Sequence, residues 1–357
     1  MEYGAIDLHK KESQIRIVTA TGDVIDRRIA TTREGFRALF ENRAPLRVLL
    51  EAATESEWVA QQLEGMGHEV IVADPNYAPM YGQRTRRIKT DRRDVAALTD
   101  ACQRGTYRAV HRRSAAQRAR QQQLQIRRGL VQARTRAISM VRALTRAAGL
   151  RIRSGRPETF LTRLGALELA PPLTDTLTPL RNTLTMLNEE LETIDEALTA
   201  QVRTDPVAQR LMTFPSVGAI TALTYMAALD DVHRFRRAGE VTSYLGLVPH
   251  EYSSGERQHR GHVIRSAQPE MQSLLVETAW RVWLSADPRT ARLRTWAQRL
   301  AQRRGKRIAI VALARRVARI LYAMWRDERD FDASRWRTAD RAVTPRGPAA
   351  DPVATAV

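Results

Sequence analysis

Apolar and polar positions in the first hundred residues alternate between two periods. YGAIDL (3–8), SQIRIVTA (13–20) and VIDRRIA (24–30) are short β-rich runs in quick succession, the last two separated by a Thr-Gly-Asp turn. TTREGFRALFENR (31–43) takes up a helical period behind a Thr cap. LRVLLEA (46–52) and HEVIVAD (68–74) are nearly continuous apolar runs of the buried parallel kind, with SEWVAQQLEGMG (56–67) as a helix between them. The predicted order is β-β-β-α-β-α-β followed by a long helix.

That order is the ribonuclease-H-like layout, three antiparallel strands extended by parallel ones with helices on the faces. From about 88 to 148 the pattern is helical and basic. Ile126, Leu130, Ala133, Ala137, Met140 and Leu144 form an apolar stripe at four-three-four spacing. A linker rich in Gly, Pro and Thr (149–172) follows. Leu173, Leu177, Leu180, Leu184, Leu187, Leu191, Ile194 and Leu198 then repeat as a coiled-coil seam, read either as an internal antiparallel pair with the preceding helix or as a dimer contact. The whole reads as α/β plus α. The expected domains are 1–105, a basic helical and coiled-coil region at 106–205, a helical domain at 206–330 and a disordered tail at 331–357.

Charge adds a partner. Formal net charge is +19, and residues 101–157 hold fifteen arginines with no Asp or Glu. A run this pure repels itself unless phosphates neutralise it, so nucleic acid is the expected ligand, with Arg112, Arg113, Arg127 and Arg128 among the phosphate contacts. No apolar run approaches the ~18 residues that span a bilayer, and there is no signal-peptide pattern, so a cytoplasmic protein without a membrane partner is expected. The single cysteine, Cys102, excludes an intrachain disulfide and a cysteine-cluster zinc site.

Four carboxylates of the first domain fall where a metal site on such a sheet needs them. Asp7 lies in the first strand, Glu51 ends the fourth, and Asp91 and Asp94 share one face of a helix. Singly, each reads as a helix cap or a strand-end residue. Together they offer hard oxygen ligands to one or two divalent cations, the requirement of metal-assisted phosphodiester chemistry. The absence of a Gly-rich phosphate loop argues against an ATPase.

FPSVGAITA (214–222) puts backbone amides near Gly218 at the start of a helix, like half of a helix-hairpin-helix element. LGLVPHEYSSGERQHRGHVIRS (245–266) reads as a polar loop between helices. Its serines stand before Gly255, and Arg257, Arg260 and Arg265 behind them are suited to holding a phosphate while a Ser hydroxyl attacks it. Taken alone, Ser-Ser-Gly is more often just a turn.

An N-terminal Asp, a Glu after a strand, a TDxxD helix, a leucine seam, PSVGAITA and GLVPxxYxSG, in that order across about 1–325, resemble the insertion-sequence transposases related to the Piv invertase, the bridge-RNA-guided recombinases. The resemblance implies a RuvC-like first domain whose D-E-D-D site corresponds to Asp7, Glu51, Asp91 and Asp94 and binds Mg, as a two-ion site. It implies Ser254 as the nucleophile, with Ser253 its neighbour, and DNA strand exchange through a serine-DNA linkage. Donor and target double-stranded DNA, a structured guide RNA and a homodimer or tetramer are the implied partners, with the protein on the nucleoid when bound to DNA. The chain departs from the family at IRSAQPEMQSLL (264–275), where an acidic residue replaces the basic start of a helix. The competing reading is a metal-dependent nuclease of the Holliday-junction-resolvase type, using the four carboxylates without serine chemistry.

Overall fold

The computed structural model describes residues 1–82, 90–254, 257–263 and 268–335, and the chain divides into two compact units between Arg113 and Ser114. In the first unit, β1 (Glu2–Asp7), β2 (Glu12–Val18), β3 (Val24–Ala30), β4 (Leu46–Glu51) and β5 (Glu69–Ala73) form a sheet of order β3-β2-β1-β4-β5. β1 pairs antiparallel with β2 and parallel with β4. Helices α1 (Arg33–Phe40) and α2 (Ser56–Gly65) follow β3 and β4 and cover one face, and α3 (Asp91–Arg104) covers the other, in the element order the periodicity predicts.

The strand alternation divides the core. Ile6, Val48, Leu50 and Val72 pack with Phe36, Phe40 and Leu63 of α1 and α2, while Ala5, Leu49 and Ala73 pack with Val95, Leu98 and Cys102 of α3. Successive strand residues face opposite sides. Phe36 and Phe40 are fully buried, each stabilising by about 1.5–3 kcal/mol.

The helical stretch after residue 88 is interrupted. Gly105 ends α3 in the left-handed conformation (φ 66°), and Ala109 bridges Ala73 at the sheet before α4 (Ala115–Ala147) begins. On α4 the buried line is Leu124, Arg134, Ala137, Ile138, Val141 and Thr145, whereas Ile126 and Met140 of the predicted stripe are exposed. Two apolar lines run down this helix, and its partner selects between them. That partner is α6 (Pro171–Thr204), which buries Leu177, Leu184, Leu187, Leu191 and Leu198. Arg120 pairs with Asp205, Arg127 with Asp195 and Arg134 with Asn188, so numbers fall on one helix as they rise on the other and the pair is antiparallel.

The expected linker is also packed. It carries α5 (Phe160–Gly165), whose Phe160 and Leu164 are buried with Val141 and Leu177, because two large apolar residues at helical spacing outweigh the flanking glycines. Helices α7 (Pro206–Met212), α8 (Ala219–Leu229), α9 (Ala238–Tyr244), α10 (Pro269–Leu284), α11 (Ala291–Arg304) and α12 (Lys306–Arg326) make the second core. The stretch expected as a loop at 245–266 contains an antiparallel pair instead, β6 (Pro249–Ser254) and β7 (Arg257–Val263). Order extends past 330, since Phe331 packs edge-on against Phe214 at 4.7 Å and its amide donates to Thr213 Oγ1 at 2.8 Å. The rest of the tail expected to be disordered, from 336 on, lies outside the described residues. Among the described residues no helix is long and apolar enough to cross a membrane.

α8 ends on a strained residue. Asp230 has φ 60° and ψ −66°, and Asp231 N donates to Leu229 O at 2.7 Å, a γ-turn of the rare positive-φ form. Its carboxylate accepts from Ser114 N (3.1 Å) and Ser114 Oγ (2.6 Å) at the start of α4. Asp230→Ala loses both bonds and keeps the strained turn, so the urea midpoint should fall by the equivalent of about 2–4 kcal/mol. Asp230→Gly, which adopts positive φ freely, should fall by less.

Candidate functional site

The parallel register of β1 and β4 runs to Ile6 opposite Leu50, so the next residue on each strand, Asp7 and Glu51, stands at the carboxyl end of the sheet centre. Strand alternation puts Asp7 on the side of Ala5 and Glu51 on the side of Leu49, which is the face α3 covers. α3 begins there, with Thr90 extended as N-cap (φ −141°, ψ 145°) and Asp91 and Asp94 in its first turn, where the helix dipole favours negative charge. α3 packs on β1, β2 and β4, with Asp94 buried and Asp91 exposed. The four predicted carboxylates thus come from three elements meeting at one end of the sheet.

Their electrostatics are unfavourable without a cation. Burial raises the Asp7 carboxyl above the ordinary aspartate value of 3.8; His9 opposes this, and Glu51, Asp94 and Asp91 add to it. The Asp7 side chain is 15% exposed, so little solvent screens these like charges. Tyr81, from the one-turn helix Ala78–Tyr81, donates its hydroxyl to Glu51 Oε1 and fixes that carboxylate. Tyr81 was not evident in the sequence, since thirty residues separate it from Glu51.

His9 joins the same cluster. Its Nε2 lies 3.4 Å from Asp7 Oδ2 and 3.8 Å from Asp91 Oδ1, and one ligand atom from each of the three residues falls within 4.8 Å of the others. Its signal was its place two residues beyond Asp7, the spacing that returns a chain leaving a strand to the same side. The carboxylate oxygens suit a hard divalent ion, whereas the imidazole is a ligand that softer transition ions prefer. Cys102 is no candidate ligand, because burial pushes its thiol up to about 12.

The arginines expected to contact phosphate are differently placed. Arg112 spans two carboxylates, with Nε 3.0 Å from Glu57 Oε2 and Nη2 3.0 Å from Glu64 Oε2, which hold its pKa well above the ordinary value. Arg127 pairs with Asp195 (Nη2–Oδ2 3.1 Å), and Arg128 Nη1 lies 3.8 Å from Glu270 of α10. Burial raises Glu270, and Arg128 and Arg127 oppose it. The expectation that phosphates must neutralise the whole acid-free run is therefore corrected: carboxylates from outside the run, including those of α6, balance part of it, and a pair already made gains less from a phosphate. Arg113 stands half-buried at the end of the first unit.

Gly218 is the N-cap of α8, in extended conformation (φ −101°, ψ 179°) with no side chain capping the helix. The turn before it is closed by Val217 N on Phe214 O at 3.1 Å, with Ser216 at φ 76°. From Thr221 to Leu229 α8 is buried all round, so the element is a core helix presenting only its amino end. In the hairpin, Ser254 stands opposite Arg257, Ser253 opposite Gln258 and Glu251 opposite Arg260; Arg265 lies outside the described residues.

Two family models match the chain. The transposase IS116/IS110/IS902 family matches residues 208–294, which include α8 and the hairpin, and a DEDD transposase model of the IS110 kind matches residues 5–147, which include all four carboxylates. A probable family 20 transposase of Pseudomonas aeruginosa is 32% identical over 325 residues, covering 89% of this chain and 95% of that protein. The transposase for insertion sequence element IS1111A of Coxiella burnetii is 28% identical over 282 residues, 78% of this chain and 77% of its own. The transposase for insertion sequence element IS1328 of Yersinia enterocolitica is 26% identical over 324 residues, with 89% and 95% covered.

Proposed function

This chain belongs to the transposase IS116/IS110/IS902 family and carries its DEDD domain, and from that premise we propose that it cleaves and exchanges DNA strands with two chemical centres, an acidic metal site and a serine. Transposase membership makes DNA the substrate, and the DEDD domain implies dependence on a divalent metal. The observation that carries the reading is the meeting of Asp7, Glu51, Asp91 and Asp94 at the carboxyl end of the central strands, where Asp7 carries a charge its surroundings disfavour. The sheet, three antiparallel strands extended by two parallel ones, is read as ribonuclease-H-like, of the RuvC type.

The residues fit a cation. Asp7, Glu51, Asp91 and Asp94 would hold Mg, as a two-ion site, with the His9 imidazole at its exposed side. A divalent ion held by these carboxylates would supply Lewis-acid stabilisation of the charge that develops at the phosphate. Tyr81 orients Glu51 by its hydroxyl. Ser254 is the proposed nucleophile: its hydroxyl gives up its proton as its oxygen attacks the phosphorus, the bond to the leaving strand oxygen breaks, that oxygen takes up a proton in turn, and the freed hydroxyl later reverses the step on the exchanged strand. Arg257 and Arg260 on the facing strand, and Arg265, are proposed to hold the phosphate, with the amides at Gly218 a further backbone contact. Arg112, Arg113, Arg127 and Arg128 are proposed to take part in nucleic-acid binding. A structured bridge RNA pairing with donor and target, and a dimer or tetramer, complete the proposal.

The test is direct. Incubated with Mg and DNA of its own element, the protein should yield a covalent protein–DNA adduct that survives denaturation, and a discrete RNA from beside its gene should co-purify. Metal-dependent cutting without an adduct would leave the nuclease reading in its place. Absence of a discrete RNA would remove the guide from the proposal.

A further inference from the structure

A second acid-free run lies in the last two long helices. Residues 288–326 hold eleven arginines and Lys306 with no Asp or Glu. Within it, α12 turns its apolar face, Leu313, Val317 and Leu321 among others, into the core and lines up Ala312, Arg315, Arg316 and Arg319 on the other side at helical spacing. These four, with Ile320 and Trp296 of α11, line a cleft of about 540 Å³. A cleft of that size falls within the roughly 300–1,000 Å³ of ligand sites.

The three guanidinium groups have no carboxylate within ion-pair distance among the described residues, in contrast to Arg112 and Arg127. Arg315 and Arg319 are four apart and Arg316 and Arg319 three apart, so their like charges repel on one helix face. Burial lowers the Arg316 pKa first, and the charge of Arg319 lowers it further. The Nε of Arg315 is buried and has no hydrogen-bond partner among the described residues. Arg316 is held over the indole of Trp296, 4.5 Å from the ring centroid. Three cations converge with a flat aromatic wall and no internal anion to balance them.

We propose that this cleft is a nucleotide subsite, in which Arg315 and Arg319 hold the phosphodiester of a strand and an unpaired base stacks on Trp296 and the guanidinium of Arg316. Phosphate supplies the missing counter-charge, and bases stack on indole rings and guanidinium planes alike. A duplex, whose bases are already stacked, gains only the phosphate contacts. The inference rests on the transposase reading in one respect, that nucleic acid is the polyanion this chain meets. It places a strand contact on residues remote in sequence from both proposed reaction centres.

The experiment measures binding by the full chain of fluorescein-labelled twelve-nucleotide single strands, one DNA and one RNA of the same sequence, and of the DNA duplex, at several salt concentrations without divalent metal. Trp296→Leu should weaken single-strand binding by about 5- to 100-fold and leave the duplex nearly unchanged. Trp296→Phe, which keeps an aromatic face, should bind like the parent. The Arg315→Gln, Arg319→Gln double variant should lower the salt slope of single-strand binding by about 1.4, two phosphate contacts at ~0.7 each. The DNA and RNA arms identify which strand the cleft prefers. Unchanged affinity and slope, or an equal loss on duplex and single strand for Trp296→Leu, would overturn the subsite. Failure of adduct formation with single-strand binding intact would count against the proposed reaction and leave the cleft standing.

Discussion

Asp7→Asn should lower metal-dependent strand cleavage by about 10³-fold or more while making the metal-free protein harder to melt. The amide has the shape of the carboxylate but lacks its charge and one of its anionic oxygens. Changes in the outer shell of a metal site cost about 10–100-fold, so loss of an anionic ligand at the centre should cost more. The stability effect has the opposite sign because Asp7 is a mostly buried charge that Glu51, Asp94 and Asp91 disfavour. Its folded pKa is raised, so between the ordinary value of 3.8 and the raised one the folded state holds more proton than the unfolded state. The resulting penalty is absent below 3.8, grows as pH rises and is complete above the folded value. In EDTA the parent should therefore lose stability across that window more steeply than the Asn variant. Added Mg should raise the parent's melting temperature and barely move the variant's. A variant that cuts normally, or that gains as much stability from Mg as the parent, would remove Asp7 from the site.

Ser254→Ala should abolish the covalent adduct, a loss of about 10³-fold or more, and Ser253→Ala should retain it. Removing a nucleophile eliminates the step that only it performs, whereas removing a neighbouring hydroxyl leaves the chemistry in place. The register separates the two, since Ser254 stands opposite Arg257 and Ser253 opposite Gln258. Of the two serines, only Ser254 is paired in register with an arginine. An adduct that persists in Ser254→Ala and disappears in Ser253→Ala would exchange their roles. Cutting at the parent's rate by both variants, without an adduct, would favour chemistry by the carboxylates alone.

The first unit was readable because its patterns are local. A buried strand must be apolar on both faces and an amphipathic helix on one, so the element order followed from periodicity, and the carboxylates interrupting it at Asp7 and Glu51 stood out. His9 and Tyr81 were hidden because their roles depend on what the fold brings beside them, Asp91 and Glu51 respectively. On α4 the sequence offered two apolar lines, and the choice went to the one that sets Arg120, Arg127 and Arg134 beside acceptors of α6. A buried arginine such as Arg134 reads as surface until Asn188 and Glu158 are seen at 3.2 and 3.0 Å. The pairing of β6 with β7 is hidden for a related reason: the polar, Gly-containing sequence there has the pattern of a loop, and pairing across the ladder is a non-local property.

The pairing of α4 with α6 also solves an alignment problem that leucines alone leave open. A four-three leucine repeat looks the same after a slip of seven residues, and the apolar surface buried would hardly change. The arginines are themselves seven apart, yet their partners Asp205, Asp195 and Asn188 are spaced by ten and then seven. After a slip of one heptad, Arg134 would still find Asp195, but Arg127 would meet the neighbourhood of Val202 and Arg120 would run past the end of the helix. Only one alignment satisfies all three. The leucines supply adhesion and the arginines supply the address, so two long helices with little else to distinguish one turn from the next come to rest in a single position.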